Sequence, residues 1–134
     1  MLARRTHLAL LWSVPLGVLV QGALAGQAWF IDADLFGLHG GVGHGVLTLA
    51  IAATALAWLS PTGTLVRWGA ASVVALLIAQ TGLGYAGHRS GLAAASALHI
   101  PLGLTVFGLA VATAVVALLS PAPQDPVRGE DPER

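Results

Sequence analysis

The feature that most limits how this chain can fold is its succession of apolar runs. A bilayer core of about 30 Å is crossed by roughly 20 apolar residues in a helix. Four windows have that length: from Leu8 to Trp29, Leu38 to Leu59, Trp68 to Ala86 and Leu98 to Leu119. Turn chemistry separates them. "FIDADLFG" holds two aspartates and ends in glycine, "SPTGTLVR" opens with Ser-Pro, and "GHRSG" is polar and glycine-rich. Only 9% of the residues are charged against 56% hydrophobic, with a mean hydropathy of +0.80. A soluble domain carries about a quarter charged residues, so this chain lacks the polar surface to cover a globule in water. The expected fold is all-α, an integral membrane four-helix bundle over residues 1–120. The proline-rich, charged tail at 121–134 reads as a disordered cytoplasmic extension.

Charge sets the expected orientation. Arg4 and Arg5 precede the first span, Arg67 lies between the second and third, and Arg128 and Arg134 are in the tail. With four spans these fall on one side, which the positive-inside bias makes the cytoplasm. Both termini are then inside a bacterial inner membrane, and Arg89 is the one basic residue outside. Trp29 and Trp68 suit the interfaces, Trp12 and Trp58 more loosely. The start "MLARRTHLALLWSVPLGVLVQGALAGQA" also has the build of a secretory signal, but cleavage would orphan the third span from its repeat partner. With no cysteine, disulfides, iron–sulfur clusters and thiolate metal sites are excluded. A net charge of zero argues against nucleic acid as a partner.

The chain repeats itself. At an offset of sixty, Leu38-His39 matches Leu98-His99, Gly43 matches Gly103, and Leu59-Ser60-Pro61 matches Leu119-Ser120-Pro121. At fifty-nine, Gln21-Gly22-Ala23-Leu24 matches Gln80-Thr81-Gly82-Leu83. Each half, about 8–61 and 68–121, is a helical hairpin with a glutamine late in its first helix and LHxxxG opening its second. The copies run in the same direction, which predicts a pseudo-two-fold axis along the membrane normal. The axis sets His39 and His99 at equal depth near the outer face, pointing at each other across a gap. Gly43 and Gly103, one turn deeper on the same helical face, clear space beneath the imidazoles for a flat macrocycle.

Two symmetric histidines suit axial ligation of haem iron better than a zinc site, which wants three or four ligands. The plainer alternative is an interfacial histidine bonded to a loop carbonyl. Gln21 and Gln80 divide between helix–helix glue and support of the imidazoles or the porphyrin edge. Arg89 is placed to pair with a haem propionate, or else is an exposed loop arginine. His44, five residues past His39, points away and reads as structural, His7 as interfacial and His88 as a loop residue.

The unit Q-x-x-L-[G/A]…LH-x-x-x-G, present twice in four helices, resembles half of haem A synthase, an eight-helix membrane enzyme whose halves each carry a histidine pair. The chain also resembles small bacterial four-helix membrane proteins of this layout. The likeness covers roughly residues 8–120 and is nearest in "QTGLGYAGHRSGLAAASALHIPLG". It implies that His39 and His99 are the ligand positions. The glutamate that closely precedes the first histidine in that family's catalytic half is missing from "DADLFGLHGG", as is the cysteine pair of some members. The expectation is therefore a b-type haem protein, with iron held by His39 and His99 and Gly43, Gly103, Gln21, Gln80 and Arg89 around the cofactor, serving electron transfer or haem handling. Whether it is an enzyme stays open, because bis-histidine iron has no free axial position. Its partners would be membrane lipid and a redox protein or a second copy of the chain. The rival expectation is a cofactor-free membrane subunit or carrier whose histidines and glutamines only hold helices together.

Overall fold

The computed structural model describes residues 2–120. It consists of four helices: α1 (Leu2–Phe30), α2 (Leu35–Leu59), α3 (Thr64–Ser90) and α4 (Ala93–Leu119). The tail at 121–134 lies outside the described residues, and the expectation of disorder there with it. All four helices are long and apolar enough to cross a membrane. Each helix packs on its two neighbours in a square: α1 and α3 each touch both α2 and α4. The two helices that carry the paired histidines are thus diagonal. The chain is a multi-pass membrane four-helix bundle.

The helices are longer than the apolar windows. At 25 to 29 residues each, they run about 38–44 Å, against a hydrocarbon layer of about 30 Å. The extra turns hold polar residues whose backbone must still be hydrogen-bonded at the edge of the apolar layer. Arg4, Arg5 and His7 therefore belong to α1. Most of "GHRSG" belongs to α3, which ends at Gly91 in the left-handed conformation (φ 66°), its N–H donating to the Ala86 carbonyl. A glycine adopts that backbone without a Cβ clash. His39 and His99 are accordingly the fifth residue of α2 and the seventh of α4, about 6 and 9 Å past the helix starts, not the first residues expected.

The repeat extends into the core. On α2 the buried residues are Val46, Ala50, Ala53 and Ala57; on α4 they include Val106, Ala110, Thr113 and Ala117, each sixty further on. On α1, His7, Leu11 and Val14 are buried, and on α3 Val66, Ala70 and Val73, each fifty-nine further on. A small cavity on the bundle axis is lined by four such pairs: Leu11 with Ala70, Val14 with Val73, Ala50 with Ala110, and Ala53 with Thr113. Alanine and valine dominate because helices in lipid associate by close packing, which small side chains permit. His7, expected at the interface, faces the bundle interior. It is only 5% exposed, at the core position where the second repeat has Val66, and its Nε2 has no hydrogen-bond partner. The early start of α1 carries it into the bundle.

At the end opposite the histidines, Arg4 donates to the carbonyls of Leu118 and Ser120, and Arg67 to those of Ala57 and Ser60. Each arginine caps the C-terminus of the helix that ends in Leu-Ser-Pro. Cations are favourable there because helix C-terminal carbonyls carry partial negative charge. Trp58 and Trp68 meet edge to face at 5.6 Å at the same end, with Arg67 over Trp58.

Candidate functional site

Each hairpin builds one half of the site. In the first, the Nδ1 of His39 on α2 lies 3.1 Å from the Gln21 carbonyl on α1. In the second, the Nδ1 of His99 on α4 lies 3.0 Å from the Gln80 carbonyl on α3. A carbonyl only accepts, so in both rings Nδ1 carries the hydrogen and donates. Each neutral imidazole is left with its lone pair on Nε2. The two rings come together across the bundle, with centroids 6.2 Å apart and planes at 60°. Both are half-buried. The expected facing pair is present, and the same backbone device orients both members.

The glutamines are brought to the pair, and so are the glycines, but the glycines serve a different contact. Gln21 Nε2 donates to the His39 carbonyl at 2.6 Å. A Cβ on Gly43 would lie 3.4 Å from Gln21 Oε1, and one on Gly103 would lie 2.9 Å from Gln80 Nε2. The space beneath each imidazole is thus occupied by the glutamine of the neighbouring helix, where an open clearance was expected. The reason is the tight α1–α2 and α3–α4 packing, which presses a long polar side chain onto the one spot without a Cβ. The two halves are not identical: Gln80 Oε1 is buried without a hydrogen-bond partner.

Arg89 is not brought to the pair. It lies nine residues beyond Gln80, about two and a half turns, so it leaves α3 on the opposite side. Its guanidinium lies over the Tyr85 ring at 4.7 Å. His88 is in the last turn of α3, its ring 5.5 Å from Phe36. His44 does point away from the pair. It bonds through Nδ1 to the Gly40 carbonyl at 2.8 Å and through Nε2 to the Tyr85 hydroxyl at 3.2 Å.

One contact escaped the sequence reading. A Cβ on Gly84 would lie 3.1 Å from His99 Cε1, so this glycine admits the ring against α3. Its signal was available, since Gly84 lies four residues after Gln80 and shares its face. Its counterpart in the first hairpin is Ala25, which is why the two sockets differ.

Among the described residues no three or more His, Cys, Asp or Glu side chains gather to hold a metal ion. The two imidazoles alone are fewer protein ligands than a zinc ion takes.

The fold and site define a small polytopic membrane protein with an internally repeated histidine pair. A family model described as "Family of unknown function (DUF6220)" matches residues 21–87, half of the chain. The chain belongs to this family. The matched segment runs from Gln21 through His39 to Gly87, and so includes both glutamines but only the first histidine of the pair. Neither a curated protein nor a solved structure matches the chain.

Proposed function

We propose that His39 and His99 are the axial ligands of a b-type haem, and that the protein serves electron transfer or haem handling related to that of haem A synthase. The observation that supports this best is the symmetric orientation of the rings. Both Nδ1–H groups are tied to glutamine carbonyls, which leaves both Nε2 atoms as ligands and raises their basicity. Two metal–nitrogen bonds of about 2 Å, plus the half-width of each ring, add to roughly 6 Å, close to the 6.2 Å between centroids. Haem would supply one-electron chemistry. The chain's own residues would hold its iron at His39 and His99 and would meet its faces at Gly43 and Gly103, once Gln21 and Gln80 swing off those glycines. Arg89 is the only Lys or Arg at this end of the bundle among the described residues, and is the cation available to a propionate if it leaves Tyr85. The arginine bias further supports a bacterial inner-membrane location with both termini cytoplasmic.

A second reading has an observation of its own. The glutamine side chains already fill the glycine notches, and a cofactor-free subunit whose His–Gln pairs hold helices together would look the same. The absorption spectrum of protein purified from haem-replete cells separates the two. A Soret band with a sharp reduced α-band supports ligation. Colourless protein that takes up no added haem supports the packing role.

A further inference from the structure

The α2–α3 groove near the histidine end carries a second polar cluster, outside the pair. His44 and Tyr85 are both exposed and hydrogen-bonded to each other, with ring centroids 6.0 Å apart. Arg89 lies over the Tyr85 ring, 4.7 Å from its centroid. His44 is nine residues into α2, and Tyr85 is five residues before the end of α3. These positions are about 13 and 8 Å from the helix ends. The helices overshoot the apolar layer by only about 4–7 Å at each end, so the pair lies within the hydrocarbon, close to its boundary. Ionisable side chains at that depth are costly and mark functional sites.

The internal repeat shows that packing does not demand this cluster. The positions equivalent to His44, Tyr85 and Arg89 are Leu104, Gly26 and Phe30. They occupy the matching α4–α1 groove, where Leu104 is 72% exposed. The same groove is built there with apolar residues alone. Beside His44 and Tyr85 the helix faces are bare: a Cβ on Gly41, Gly45 or Gly82 would meet nothing within 4 Å.

The hydrogen-bond directions select the ligand. Nδ1 of His44 faces a carbonyl and must donate, so Nε2 accepts and the Tyr85 O–H must donate to it. The Tyr85 oxygen keeps its lone pairs, and among the described residues the bond to His44 is its one hydrogen bond, although the Arg89 guanidinium lies close by. It can accept a hydrogen bond from a hydroxyl, and the side-chain-free helix face at Gly41 and Gly45 lets a flat ring lie against α2.

We propose that this groove binds a membrane-dissolved hydroxylated ring of the benzoquinol class, its hydroxyl donating to Tyr85 and its ring lying against Gly41 and Gly45. This site is separate from the histidine pair and does not require haem. The depth favours a ring dissolved among the acyl chains over a phosphate headgroup, which would sit further out, beside Arg89.

The test uses the full chain in phosphatidylcholine nanodiscs, with empty discs as the blank and retention of a labelled short-tailed benzoquinol as the readout. Saturable retention above the blank is expected, at least tenfold weaker in Tyr85→Phe, which keeps the ring and its packing. His44→Leu, which restores the repeat's apolar version, should weaken it similarly. Leu104→Ala in the matching groove should leave it unchanged, and the oxidised quinone, having no hydroxyl to donate, should be held several-fold less well. Unsaturable retention equal to the blank, or unaltered retention in Tyr85→Phe, overturns the proposal. Equal retention of quinone and quinol overturns the ligand class. Labelled phosphatidylglycerol retained in an Arg89-dependent way, with no quinol held, would show the cluster to be a phospholipid site and overturn it too.

Discussion

The imidazoles of His39 and His99 lie 6.2 Å apart, although the residues are sixty apart in sequence and sit on diagonal helices. The relationship exists because each hairpin ties its own histidine to its own glutamine carbonyl, and the pseudo-two-fold axis then brings the hairpins face to face. If this pair holds haem iron, removing either ring removes half of the ligation. His39→Ala and His99→Ala should each abolish the low-spin bis-histidine spectrum, while His44→Ala should preserve it. Reduced-minus-oxidised spectra of the three variants check this, and equal haem content in all three would end the assignment. Haem binds only the folded bundle, so the two ligand variants should also melt earlier than the haem-loaded parent.

Gln21 and Gln80 make a sharper test of how the glycines work. Gly43→Leu and Gly103→Leu should each evict a glutamine from its notch and lower haem occupancy several-fold. Gly63→Leu, on the loop at the other end and with open space around it, should not. Gly43→Ala and Gly103→Ala should be mild, because the atom met is the flexible end of a glutamine. Gln21→Ala separates the two readings. If haem replaces the glutamines, the variant should keep its haem and lose stability mainly in the haem-free state. If the glutamines are only glue, it should destabilise every preparation by about 1 kcal/mol, the average range for a polar contact between membrane helices. Thermal melts of haem-loaded and haem-free samples distinguish these outcomes.

The repeat made much of this architecture legible. Polar matches at offsets of fifty-nine and sixty were visible because glutamine and histidine stand out in an apolar alphabet. The core pairs such as Val46 with Val106 were not, since valine and alanine match everywhere. Helix ends were misread where polar residues continue a helix past the apolar layer, as His88 and Arg89 do. The contents of the glycine notches could not be read at all. A glycine signals that something comes close, and only the packing of α1 on α2 reveals that Gln21 is what comes. The capping pair Arg4 and Arg67 was hidden for a different reason. They are sixty-three apart, outside both repeat offsets, and become equivalent only through the helix ends they cap.

Gly69 and Thr113 form a tighter close approach than either notch at the histidine site. A Cβ on Gly69 would lie 2.6 Å from Thr113 Oγ1 and 3.1 Å from its Cγ2. Thr113 is buried, β-branched and held by its hydrogen bond to the Leu109 carbonyl at 2.8 Å, so it has little freedom to turn away. Gly69→Ala should therefore destabilise the bundle by about 1–3 kcal/mol, the usual range for overpacking. Gly108→Ala, at an open position on α4, should have little effect. Adding Thr113→Ala to Gly69→Ala should recover most of the loss, a coupling that a double-mutant cycle measures. A Gly69→Ala protein as stable as the parent would show that α3 and α4 can separate there at no cost.

Arg67 and Arg4 cap the two outgoing helices, and their roles can be separated by what else each touches. Both donate to the last carbonyls of a helix ending in Leu-Ser-Pro, Arg67 at 3.2 and 3.1 Å and Arg4 at 3.0 and 3.1 Å. Arg67 is also stacked on Trp58 at 5.7 Å, and that tryptophan in turn meets Trp68 across the α2–α3 turn. Among the described residues Arg4 has a helix end alone to hold. Losing the hydrogen bonds and the favourable charge at a helix C-terminus should cost about 0.5–1.5 kcal/mol at either site. Arg67→Ala should cost more than Arg4→Ala, by the further roughly 0.5–1 kcal/mol of an exposed cation–π contact. Lysine keeps the charge but loses the planar fork that reaches two carbonyls at once, so Arg67→Lys should fall between the parent and Arg67→Ala. The sites serve different helices, and the double variant should be additive to within about 0.5 kcal/mol. Melting temperatures of the five proteins, taken side by side in one detergent, provide the comparison. An Arg67→Ala protein that melts with the parent would reduce this capping to a surface contact without energetic weight.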